Sequence, residues 1–149
     1  MTRTWVLIAD SHRGRLFERQ TRGHTLVELA DFVYPNDSAL GGGHQESSLS
    51  KGHGATGHAG TQFEPQTSPQ AKNRRMFSQL LAAHLNEGVA SQQCGALVLI
   101  APGPMLGDLR PRLSVSAGNA LRHTVATDMT HFDGRELQQR VDQALQFVH

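Results

Sequence analysis

Trp5-Val6-Leu7-Ile8-Ala9-Asp10 is the stretch whose reading decides the fold. Its apolar residues run without a polar interruption and end in an acid. A second run of the same kind, Ala96-Leu97-Val98-Leu99-Ile100-Ala101, lies far along the chain. A strand with one wet face alternates polar and apolar residues, whereas a strand covered on both faces does not. Both runs are too short for a typical helix, which argues against a buried helical segment. Two such strands imply one sheet, covered on both sides, with these two at its centre.

The neighbouring sequence supplies the rest of the sheet. Ser11-His12-Arg13-Gly14 reads as a turn in which Gly14 is free to take a positive φ. Arg15 to Arg19 follows as a second strand, antiparallel to the first. After a turn at Thr21 to His24, Thr25 to Phe32 carries Leu26, Val27, Leu29 and Phe32 and reads as a third strand. This is a three-stranded meander, ended by Tyr34-Pro35. From Asn36 to Gln70 the chain is rich in Gly, Ser, His, Gln and Thr without periodicity. That exceeds the roughly 15 residues beyond which a structureless loop in a compact domain is usually functional or disordered.

Pro69 precedes a helical pattern in which Met76, Phe77, Leu80, Leu81, His84 and Leu85 form one stripe and Gly88 is a plausible stop. Lys72, Arg74 and Arg75 sit near its start, where cations oppose the helix dipole. Ala96 to Ala101 is the fourth strand, broken by Pro102-Gly103-Pro104. Met105 to Arg110 reads as a short helix, Ser114 to Asn119 as loop, and Leu121 to Met129 as the fifth strand. Asp133 is placed to cap a last helix with Glu136 in the capping-box position. Leu137, Val141, Ala144, Leu145 and Val148 make that helix's stripe.

The order is β-β-β-α-β-α-β-α. With the first and fourth strands adjacent, it predicts an α/β, ribonuclease-H-like three-layer fold: a mixed five-stranded sheet with helices on both faces. A flavodoxin-like sheet would need a helix between the first and second strands, and the turn at Ser11 to Gly14 leaves no room for one. The expected core is Val6, Ile8, Leu97, Leu99 and Val125, backed by Phe77, Leu81, Leu109 and Leu145.

Composition bounds the function. The chain has 149 residues, enough for one domain with a real core. The expectation is a single domain over 1–149, with the long loop at about 36–70. Lys plus Arg is 14 against Asp plus Glu at 13, a net charge of +1, so charge alone makes no case for nucleic acid or membrane. The single cysteine, Cys94, excludes an intrachain disulfide framework. The opening apolar run is too short for a signal-peptide core, and no stretch approaches the roughly 20 apolar residues of a membrane span. The expected location is the cytoplasm.

Several segments carry a family resemblance. WVLIADSHRGRLFE (5–18) resembles the opening of bacterial proteins described as required for attachment to host cells. LVLIAPGPMLGDLRPRL (97–113) resembles that family's fourth strand and following helix. TVATDMTHFDGREL (124–137) resembles its closing strand and helix, where an acid and then Thr precede the helix. The helix around Phe77 also fits, so the resemblance covers nearly everything outside 36–70. The family is similar to the middle domain of archaeal and eukaryotic peptide-chain release factors, which shares the ribonuclease-H-like layout.

That likeness implies a place for chemistry in the long loop. Release factors carry a Gly-Gly-Gln tip there; this chain has Gly42, Gly43, His44 and Gln45, with His interrupting the motif. Arg74 and Arg75 resemble the phosphate-contacting start of the release-factor helix, with Lys72 and Arg13 as further candidate phosphate contacts. A polar loop containing Gly and Gln by composition is the blander and favoured reading. Gly52-His53-Gly54-Ala55-Thr56-Gly57 matches a dinucleotide fingerprint in letters, but no strand precedes it and no helix follows, so that reading is rejected. His44, His53 and His58 lack a clear fourth ligand, and no metal is assigned to them.

Asp10 and Asp128 end strands near the sheet centre. In ribonuclease-H-like nucleases, acids at such ends hold two Mg²⁺ about 4 Å apart. A third acid is missing, because the fourth strand ends in Ala101-Pro102 and Asp108 lies a turn or two of helix away. The blander reading has Asp10 and Asp128 capping the turns that follow them. Cys94 reads as a buried structural thiol. Arg13, Arg15 and Arg19 on the first hairpin form a phosphate-facing edge or, more commonly for such residues, lie in solvent.

The expectation is therefore a non-catalytic binding module, without cofactor, contacting RNA or the translation machinery through its long loop and making no membrane contact. A translation-associated peptidyl-tRNA hydrolase or ribosome-rescue factor is the alternative, and a divalent-metal nuclease ranks third.

Overall fold

The computed structural model describes residues 3–35 and 68–146. The Gly42 to Gln45 tip, His44, His53, His58 and Val148 lie outside the described residues.

The opening run forms β1 (Thr4–Ala9) and the second run forms β4 (Ala96–Ala101), paired in parallel with Leu7 opposite Leu99. Both are buried from Trp5 and Ala96 onward, as uninterrupted apolar runs require. Alternate residues feed different faces. Trp5, Leu7, Leu97 and Leu99 belong to one buried cluster; Val6, Ile8, Val98 and Ile100 belong to another. The meander is completed by β2 (Arg13–Arg19) and β3 (Leu26–Val33), both antiparallel to their neighbours. With β5 (Leu121–Ala126) parallel to β4, the strand order is β3-β2-β1-β4-β5, the ribonuclease-H-like layout.

The helices are α1 (Pro69–Ala90), α2 (Gly103–Leu109), α3 (Val115–Ala120) and α4 (Gly134–Gln146). Residues of α1, α2 and α3 join the cluster around Leu7 and Leu99, while Leu137 and Val141 of α4 join the one around Ile8 and Ile100. The sheet is thus covered on both faces. Val6, Ile8, Leu97, Leu99, Phe77, Leu81 and Leu109 are buried as expected. Val125 and Leu145 are only partly buried, because β5 is an edge strand and Leu145 sits near the described end of α4.

Several local expectations are corrected. Gly14 lies inside β2, not in a turn. A Cβ there would come within 2.9 Å of Leu81 Cδ2 and 3.4 Å of Phe77 Cζ, so close packing of α1 explains the glycine. The α1 helix begins at Pro69, inside the expected loop, where the Ser68 hydroxyl accepts the Ala71 N–H at 3.0 Å. It also runs past Gly88 to Ala90. Met76 and Leu80 are exposed, because the buried face is carried by Phe77, Ser78, Leu81, Ala82, Leu85 and Gly88. The segment expected to be loop at Ser114 to Asn119 contains α3, whose N-cap Ser114 accepts the Ala117 N–H at 3.1 Å. The fifth strand stops at Ala126, three residues short of the expected end. At α4 the expected capping box gives way to ion pairs: Asp133 with Arg15 at 3.0 Å and Glu136 with Arg140 at 3.2 Å.

Candidate functional site

Because β1, β4 and β5 run parallel, their carboxyl ends meet one edge of the sheet. Asp10 directly follows β1, and Asp128 and His131 stand in the turn after β5. One ligand atom from each of these three lies within 4.8 Å of the others. Asp10 Oδ1 accepts the backbone N–H groups of His12 and Arg13, each at 2.7 Å. Asp128 Oδ1 accepts the Thr130 N–H at 2.8 Å. The buried Thr130 hydroxyl stands between the acids, 2.6 Å from Asp128 Oδ1 and 3.1 Å from Asp10 Oδ2. It carries one proton and donates to one carboxylate at a time; the shorter distance favours Asp128. His131 Nε2 lies 3.7 Å from Asp128 Oδ2, with its side chain 80% exposed.

This donor set does not fit a two-metal centre. Such a centre needs several carboxylate oxygens open to cations and water. Here both Oδ1 atoms are occupied by backbone donors, and Asp10 Oδ2 faces the Thr130 hydroxyl. The intervening strand ends in Ala101 and Pro102, and Asp108 is held by Arg74 Nε at 2.5 Å. Asp10 and Asp128 do the turn-capping work that the blander reading gave them. Thr130→Val keeps the side-chain volume but removes the donor between two carboxylates. It is expected to cost about 1–3 kcal/mol, the usual penalty for stripping a charged partner of its hydrogen bond. Urea unfolding measures this, and unchanged stability would show that the hydroxyl bridge carries no weight.

The chain matches the family model described as "Protein required for attachment to host cells" over residues 5–141. It belongs to that family. Among curated proteins none matches the chain. Among solved structures, the Ppx/GppA phosphatase of Aquifex aeolicus aligns at 10% identity with a TM-score of 0.42, over 85% of this chain and 36% of the phosphatase. The fold assignment rests on the strand order itself.

In this host-attachment family member each hairpin arginine is held by a carboxylate, Arg15 and Arg19 largely buried and Arg13 with its side chain 43% exposed. Arg13 Nη2 pairs with Asp31 at 3.1 Å, and that hydrogen bond raises the guanidinium pKa further above its ordinary value. Arg15, 5% exposed, binds the Phe132 carbonyl at 2.7 Å, Asp133 at 3.0 Å and Glu28 at 3.4 Å. Arg19 pairs with Asp142 at 3.0 Å. These contacts tie β2 to β3 and to α4 with its preceding turn. Of the candidate phosphate contacts, Arg13 and Arg74 are thus in ion pairs. Lys72 and Arg75 have no carboxylate partner among the described residues. Sequence reasoning missed His131 and the hydroxyl bridge of Thr130. The only signal was the spacing Asp128-Met129-Thr130-His131 after the closing strand.

Cys94 is buried, as expected, and burial pushes its thiol pKa up to about 11, with a hydrogen bond from the Ala96 backbone acting in the opposite direction. A raised acid pKa favours the folded state while the thiol stays neutral. That contribution is whole below the unfolded pKa near 9 and is lost as pH rises from about 9 to about 11. Cys94→Ala is therefore expected to flatten the fall in stability across that window. Denaturation at pH 8 and pH 10.5 checks it, and an equal fall in both proteins refutes the assignment.

On another side of the molecule, β3 forms a sheet edge, with no strand on its outer side among the described residues. A groove of about 620 Å³ lies between its end and α1, lined by Phe32, Val33, Tyr34, Phe77, Leu80 and His84 among others. Beside it Val33 is 50% and Leu80 56% exposed, and Val27, Leu29 and Met76 are also exposed. His84 forms part of the groove wall, stacked on Trp5 at 5.9 Å and edge-on to Phe32 at 5.1 Å. Among the described residues no helix is long and apolar enough to cross a membrane.

Proposed function

We propose that the protein is a non-catalytic binding module that serves attachment to host cells by holding a partner protein on its β3–α1 face. The observation that supports this best is the apolar groove beside an open strand edge. An extended partner segment adds to such an edge by main-chain hydrogen bonds and places alternate side chains into the neighbouring groove. The bulge opposite Leu16 and Phe17 disturbs the ladder around Leu29. The regular stretch Ala30 to Val33, next to the groove, is therefore the part of β3 suited to strand addition. Commitment of Asp10 and Asp128 to turn capping supports a module without hydrolytic chemistry.

The test is a complementation assay with Val33→Asp/Leu80→Asp, two exposed positions whose change leaves the core intact. Attachment by a strain lacking the protein should not be restored by this variant, while its thermal stability stays near wild type. Full restoration would remove the groove from consideration.

A second reading, contact with RNA or the ribosome, is favoured by Lys72 and Arg75, which follow the long loop that carries Gly42 to Gln45 in sequence. The interrupted release-factor tip in that loop motivates it. Filter binding should then show RNA affinity that falls steeply with salt and is lost in Lys72→Glu/Arg75→Glu. Absence of salt-sensitive RNA binding by the wild type would sink this reading.

A further inference from the structure

We propose that a pocket at the amino ends of β1, β4 and β5 is a binding site for a small oxyanion, a phosphate or carboxylate group, held by Arg3 and Arg122. The pocket has a volume of about 710 Å³, within the range of small-molecule sites. It lies at the sheet edge opposite Asp10 and Asp128, so it is separate from the carboxylate cluster. Arg3, Gln92, Gln93, Ser116, Asn119 and Arg122 supply its polar wall, and among the described residues no carboxylate lines it. Neither arginine has a carboxylate partner among the described residues, whereas the hairpin arginines Arg13, Arg15 and Arg19 all do.

The positions of these groups are fixed by the fold. The Arg3 carbonyl accepts the N–H groups of Gly95 at 2.9 Å and Ala96 at 3.2 Å, which locks the backbone of Arg3 to the start of β4. Arg122 begins the exposed side of β5, and its Nη1 donates to the Asn119 carbonyl at 2.8 Å. A guanidinium has five N–H donors, so one such bond leaves most of the fork available. Planar forks match carboxylate and phosphate oxygens two at a time.

The opposing consideration is that α1 and α3 both end here, and a helix C-terminus carries about half a negative charge. At α1 that end is already satisfied. Ser91 N–H binds the Glu87 carbonyl at 2.9 Å, and the N–H groups of Gln93 and Cys94 bind the Gly88 carbonyl at 2.8 and 3.3 Å. α3 has only six residues, and Arg122 itself covers one of its last carbonyls. Two full positive charges therefore outweigh the residual dipoles. Gln92, one of the lining residues, holds a left-handed φ of 64° at the position where glycine ordinarily ends a helix.

Isothermal titration of the full chain with inorganic phosphate and, separately, with succinate at low chloride tests the site. Saturable one-to-one binding is expected. Arg3→Gln and Arg122→Gln should each weaken it at least tenfold, and Ser116→Glu should abolish it by placing a negative charge on the wall. Arg135→Gln, in the first turn of α4 and outside the pocket lining, should bind as wild type. Tighter phosphate binding identifies a phosphoryl ligand, and tighter succinate binding a carboxylate one. Absence of saturable binding by both anions, or undiminished binding by Arg3→Gln/Arg122→Gln, overturns the proposal.

Discussion

Leu99→Ala will lower the unfolding free energy by about 2–5 kcal/mol, the range for truncating a fully buried leucine. Leu99 has no exposed surface and sits in the middle of β4, opposite Leu7 on one side and Thr124 on the other. It belongs to the cluster that includes Phe77 and Leu81 of α1 and Met105 and Leu109 of α2. Two strands and two helices converge there, so little can collapse into the space that three missing carbons leave. That places the expected loss in the upper part of the range. Val115→Ala, at a residue 82% exposed, should stay within about 0.5 kcal/mol and serves as the reference. Equal midpoints for the two variants in urea, with unchanged m, would show that β4 is not the structural centre.

The same strand explains why the architecture is legible in the sequence. Two apolar runs without alternation specify double-sided burial, and the short turn after Asp10 forbids a helix between the first two strands. Those observations leave few ways to order five strands. Details whose physics is long-range were not legible. Gly14 looks like a turn residue locally; its reason is the approach of Leu81, 67 positions later by residue number. Arg13, Arg15 and Arg19 look like surface cations, and their partners Asp31, Glu28, Asp133 and Asp142 come from other elements. Met76 and Leu80 satisfy a helical period, but period alone does not say which of two adjacent stripes faces the sheet. For the candidate site, the two strand-end acids could be named from sequence because strand ends are local. Their engagement by Thr130 could not, since it depends on how the turn after β5 folds back over β1. Neither the β3–α1 groove nor the Arg3–Arg122 pocket leaves a contiguous trace, because each is assembled from segments far apart in the chain.

Gly88→Ala will destabilise the protein by up to about 2 kcal/mol net, although the same change in an open helix would stabilise it. Gly88 lies within α1 and is buried, and a Cβ there would overlap Cζ3 and Cη2 of Trp5. Replacing an interior helical glycine by alanine normally gains about 1 kcal/mol. Overpacking a filled core costs about 1–3 kcal/mol, occasionally more. Trp5 cannot yield cheaply: it is 4% exposed, its ring stacks on His84, and its strand lies between β2 and β4. The steric cost therefore exceeds the propensity gain, and Gly88→Val, bulkier and β-branched, should lose more. The cause can be isolated by a double-mutant cycle with Trp5→Leu, which opens the space under α1 at its own cost. In that background Gly88→Ala should become neutral or stabilising, a coupling whose sign reverses the single-mutant effect. Additive losses in the double variant would mean that α1 does not rest on the Trp5 indole at this point. Trp5 is the chain's one tryptophan, so its fluorescence reports directly whether the ring has been displaced in Gly88→Ala.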